Sequence, residues 1–84
     1  ITLHLTESGS VIIGGQEVYM ESLRPYLVKE ANVLDLRGQP LSDATVIIRA
    51  HKDAQTGKVQ ELIKVCQEAR FEQFALRAKE DVGN

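Results

Sequence analysis

The sequence predicts an α+β fold in the order β-β-α-β-α-β, a small mixed four-stranded sheet with two helices on one face. Three observations carry this. The chain opens on a two-residue apolar period, two later stretches follow a helical period, and a strand, a helix and a strand follow one another towards the end.

Ile1, Leu3 and Leu5 alternate with Thr2, His4 and Thr6, the pattern of a half-buried strand. Glu7-Ser8-Gly9-Ser10 supplies turn residues, and Val11-Ile12-Ile13 is a second β-branched run, so the two read as a hairpin ending at Gly14-Gly15. From Met20 the period changes. Met20, Leu23, Leu27, Ala31 and Leu34 fall three or four apart, one apolar stripe of a helix. Proline is tolerated only in a helix's first turn, so Pro25 sets the start near Ser22. Residues 35–44 hold Gly, Pro and polar residues without either period and read as a long connection. Thr45 to Ala50 is the most β-prone stretch. Its run Val46-Ile47-Ile48 suits a central strand buried on both faces. Val59, Leu62, Ile63, Cys66 and Ala69 give the clearest helical stripe, with Thr56 as the expected N-cap. Phe71, Phe74, Leu76 and Ala78 form the last strand, and residues 79–84 read as a frayed polar tail. The segment from Thr45 to Ala78 is then a βαβ unit with parallel strands.

The 84 residues make one domain, 1–84, whose small core buries about two thirds of the unfolded surface. Self-association is one expected source of added stability. Ten Lys+Arg against twelve Asp+Glu give a net charge of -2, without the basic excess of a phosphate-backbone binder, so no nucleic-acid partner is expected. The longest apolar run is far short of the roughly 20 residues of a membrane helix. The chain opens on Ile1 rather than Met and is expected to be a piece of something longer.

No residue pattern points to catalysis or a cofactor. His4, His51 and Cys66 are scattered without metal-ligand spacing, and Cys66 on its apolar stripe reads as a small hydrophobe. Gly14-Gly15-Gln16 has the letters of the release-factor tripeptide, but it directly follows a short strand without basic surroundings and reads as a turn. The twelve acidic residues are dispersed among basic ones, and no two form an acid/base couple by spacing. The last strand is more informative. It carries Phe74, Leu76 and Ala78 on one side, and Arg77 is the only charge between Gln73 and Ala78. An edge so lightly charged recruits another strand or packs under the second helix. Phe74, Leu76 and Arg77 are therefore the candidate partner-binding residues, with Arg49 on the neighbouring strand as a charged anchor.

Val46-Ile47-Ile48-Arg49-Ala50-His51-Lys52-Asp53, followed by the stretch from Val59 to Phe71, resembles the ExbD/TolR family of biopolymer transport proteins. In that family a strand ending in Arg-Ala-Asp-Lys leads to a helix, a glycine-aromatic pair and the last strand. The opening residues fit too: Ile1 to Leu5, a turn at Ser8-Gly9-Ser10, then Val11 to Gly14 and Val18, so the resemblance covers residues 1 to about 78. His51 stands where the family usually has Asp, and Arg70 where it has the Gly that allows a left-handed helix end. The resemblance implies a non-catalytic periplasmic domain, anchored in the inner membrane by an N-terminal helix outside this chain. It also implies a homodimer working with an ExbB/TolQ-like channel protein and a TonB/TolA-like transducer, or contacting peptidoglycan. The alternative from another class is a cytosolic dimeric ligand-sensing α+β domain. A third is a release-factor-like hydrolase resting on Gly14-Gly15-Gln16 alone.

Overall fold

Thr2–Leu5 (β1) and Val11–Ile13 (β2) pair antiparallel, Leu3 opposite Ile13 and Leu5 opposite Val11, so the alternating apolar residues of both strands share one face. The computed structural model describes residues 1–78, and the expected tail over 79–84 lies outside the described residues. The hairpin does not end at Gly14-Gly15. These glycines hold φ of 58° and 81°, the paired positive values of a two-residue hairpin turn whose twist matches its strands. The chain therefore continues into a further antiparallel strand, Gln16–Val18 (β3), Val18 opposite Val11. The sheet has five strands rather than four.

A 3-10 turn over Met20–Ser22 leads into a helix, Leu23–Leu36 (α1), which places Pro25 in the first helical turn. Met20, Leu23, Leu27 and Ala31 are buried. The connection after α1 is shorter than the sequence suggested, because the helix runs on to Leu36 and a second 3-10 turn, Leu41–Asp43, buries Leu41. Thr45–Ala50 (β4) then pairs parallel with β1, and after the helix Thr56–Glu68 (α2) the strand Gln73–Ala78 (β5) pairs parallel with β4. The order across the sheet is β3-β2-β1-β4-β5.

Two expectations are corrected here. Thr56 is the first residue of α2 rather than its cap. Extended Gln55 takes that place, its carbonyl accepting from Lys58 N and Val59 N. β4 is buried on one face only: Val46 and Ile48 are fully enclosed, while Ile47 points to the other side and is half-exposed. Both helices cover the same face, where Leu3, Leu5, Val11, Ile13, Val18, Val46 and Ile48 meet Leu23, Leu27, Leu62 and Cys66 in one cluster. Each large apolar side chain enclosed there contributes about 1.5–3 kcal/mol. The opposite face has no helix over it among the described residues.

Cys66 lies in this cluster with no exposed surface, and burial pushes its thiol up to about 12 from an ordinary 9.0. A raised folded-state value stabilises the fold fully below pH 9.0, and the contribution is lost as pH rises towards 12. Cys66 is thus expected to react with a thiol reagent at pH 8 no faster than the chain unfolds. Rapid modification of native protein would place the thiol elsewhere.

The two helices end alike although their sequences differ. At α1, Gly38 N bonds to Asp35 O and Gln39 N to Leu34 O, with Gly38 at φ 73°. At α2, Arg70 N bonds to Gln67 O and Phe71 N to Cys66 O, with Arg70 at φ 78°. Both are Schellman ends, which a glycine adopts freely and an arginine only with strain. Arg70 keeps an exposed ion pair with Asp35 at 2.6 Å, and such pairs are worth well under about 1 kcal/mol. Arg70→Gly is expected to raise stability by about 0.5–1 kcal/mol in a urea titration. A loss of stability would mean that the ion pair outweighs the backbone strain.

Candidate functional site

An edge strand carries a row of unpaired N–H and C=O groups, and β5 is one of the two edges of this sheet. The other edge, β3, is three residues long and carries Glu17, a charge that protects it. β5 is six residues long. Its pairing with β4 sets Phe74 beside Val46 and Leu76 beside Ile48, so both point to the helix-covered face. There they differ. Phe74 is half-buried against the core, whereas Leu76 is 60% exposed. A shallow groove of 320 Å³ runs past it, with Ile48, Ala50, Lys52 and Val59 among its lining residues and the Arg77 position at its rim.

The same pairing sets Arg77 beside Arg49, and both point to the open face. The four residues expected from the sequence therefore gather at one sheet edge but divide between its faces, Phe74 and Leu76 on one and Arg49 and Arg77 on the other. Sequence reasoning missed His4, which the parallel pairing of β1 with β4 places beside Arg49. Its alternation marks His4 as facing away from the core, but no local signal says which residue of a distant strand stands next to it. His4, Thr6, Ile12, Arg49 and His51 line a hollow of 270 Å³ on the open face.

His4 and His51 share that hollow, but Cys66 does not join them, since it is in the core. A different trio gathers. Glu7, His51 and Asp53 bring their ligand atoms within 4.8 Å of one another, among the described residues. Asp53 N, however, donates to His51 Nδ1 at 3.0 Å. A neutral ring accepting at Nδ1 carries its proton at Nε2, so in this orientation it has no free lone pair for a metal. Gly14 and Gly15 form the β2–β3 turn, and Gln16 Nε2 donates to the Tyr26 hydroxyl at 3.2 Å, tying the turn to α1. No helix among the described residues is long and apolar enough to cross a membrane.

What this arrangement offers chemically is an unpaired backbone ladder, one exposed apolar side chain beside a groove, and two guanidiniums on the reverse side. An edge with these features can accept an added strand. Comparison with family models matches residues 1–81 to the one described as Biopolymer transport protein ExbD/TolR. No curated protein matches the chain.

Proposed function

The chain belongs to the ExbD/TolR family of biopolymer transport proteins, and from that membership we propose that it is the non-catalytic periplasmic domain of an inner-membrane complex driven by the proton-motive force. The family's role in energy transduction for biopolymer transport is the coarse function. In this reading the domain dimerises and contacts a TonB/TolA-like transducer, while an ExbB/TolQ-like channel protein serves the membrane side. Proton flow then belongs to a membrane segment outside these residues, and the domain's own work is to bind.

The observation that carries the reading beyond membership is β5, an edge strand whose Leu76 is 60% exposed beside an apolar groove. A strand docked there completes the backbone ladder and covers Leu76, and main-chain bonds supply affinity while alternate side chains supply specificity. Leu76→Glu tests it. Because Leu76 is already largely in water, the substitution is expected to cost the fold less than about 1 kcal/mol. At a strand-to-strand seam the same charge loses apolar burial and is left desolvated, which should weaken self-association and transducer-peptide binding by about tenfold or more. Sedimentation of the folded variant, with peptide titration followed by fluorescence anisotropy, reads both. Unchanged sedimentation and unchanged peptide affinity would remove β5 from the interface.

A further inference from the structure

Arg49 and Arg77 are lateral neighbours on adjacent strands, which lie about 4.8 Å apart, and like charges so placed repel. His4 continues the row on the far side of Arg49. Nothing described nearby neutralises them. The ion pairs among the described residues join Arg24 to Glu68, Lys58 to Glu61 and Arg70 to Asp35, leaving Arg49 and Arg77 without one. Arg49 Nε is moreover buried without a hydrogen-bond acceptor among the described residues. A guanidinium donor withdrawn from water and left unmatched is costly. A local rule is thus broken twice at one place, and an anion seated across the two guanidiniums would relieve the repulsion between them. A carboxylate suits the site best, because its two oxygens match the planar fork of an arginine.

The position of the pair indicates where that carboxylate comes from. Arg77 lies on the edge strand, so a chain added alongside β5 sends every second side chain to the open face, directly beside Arg77. The intervening side chains fall on the helix-covered face beside Leu76 and its groove. A second copy of β5 cannot supply the acid. Its open-face residues are Gln73, Ala75 and Arg77, its helix-side residues include Phe74 and Leu76, and none of these is acidic. We propose that Arg49 and Arg77 form a carboxylate-binding site that reads an Asp or Glu on an extended segment of a different protein, apolar and acidic in alternation, docked along β5. This rests on the reading of β5 as the partner-binding edge.

The test uses the whole chain and two synthetic seven-residue peptides with blocked ends, one alternating valine with glutamate and the other valine with glutamine. Amide shifts of β5 in a nitrogen-15 NMR titration report docking at the edge, and the two affinities report the carboxylate site. The glutamate peptide is expected to bind about tenfold more tightly. That preference should shrink to less than about twofold in Arg77→Gln and in Arg49→Gln, while the glutamine peptide binds all three proteins alike. Arg77 is exposed, so Arg77→Gln keeps the test valid even if Arg49→Gln unfolds. Equal affinity of the two peptides for the wild-type chain, with β5 still shifting, would overturn the carboxylate site and leave the edge reading standing. Shifts on β5 from neither peptide would overturn both. A preference that survives both substitutions, or a muropeptide carboxylate that occupies the arginines without any peptide preference, would also overturn the proposal.

Discussion

Phe71→Ala is expected to lower the unfolding free energy by about 3–5 kcal/mol. The ring is 1% exposed and is the largest of the fully enclosed side chains. It also sits at a junction, since Phe71 N closes the end of α2 on Cys66 O at 3.1 Å and the chain turns from there into β5. A cavity at that point loosens both the helix end and the strand that follows. A domain of this size is stable by only about 4–12 kcal/mol, so the variant should be largely unfolded at modest urea or near body temperature. Urea titration followed by circular dichroism checks it. A loss below about 1 kcal/mol would mean that neighbouring side chains collapse into the space.

Ile47→Pro should be as damaging for a different reason. Ile47 is half-exposed on the open face, so little core volume is at stake. What it holds is the centre of the sheet: its N–H donates to Ile1 O at 2.8 Å, and it stands between Thr2 on β1 and Ala75 on β5. Proline removes that donor, leaves the carbonyl of Ile1 short of its partner and introduces a ring where a neighbouring strand lies close, together at least about 2–3 kcal/mol. Ile47→Thr keeps the N–H and the β-branched shape and should cost less than about 1 kcal/mol. Comparable losses from the two substitutions would show that the side chain, and not the β1–β4 ladder, is what matters there.

The contrast between these two positions marks what was legible. Ile47 lies within the apolar run Val46-Ile47-Ile48, which reads as buried on both faces, yet only its neighbours are enclosed. A run of three β-branched residues states that the segment is extended but says nothing about whether a second layer exists to cover the far side. Likewise Gly14-Gly15 is legible as a turn, and the structure shows it to be the kind that returns the chain as β3. Val18 was visible as an apolar residue, but a three-residue strand has too few alternations to announce itself. At the end of α2, an arginine where a glycine would be expected gives no local hint of a left-handed residue. The backbone adopts it because Phe71 must reach the core and Cys66 O must be capped.

By itself the sequence determined the order of its elements, the apolar faces of both helices and of the opening hairpin, the parallel βαβ unit, and the family resemblance centred on Arg49-Ala50. It could do so because those properties are written in the spacing of neighbouring residues, where burial of one face imposes a period of two or of three to four. Only the tertiary structure decided that His4, Arg49 and Arg77 form one row, and that Leu76 is left in water beside a groove while Phe74 is tucked against the core. Lateral register joins residues more than forty positions apart, as with His4 and Arg49. It is set by how all the strands share one core, and a shift of one residue would exchange the two faces of β5 without altering a single local pattern.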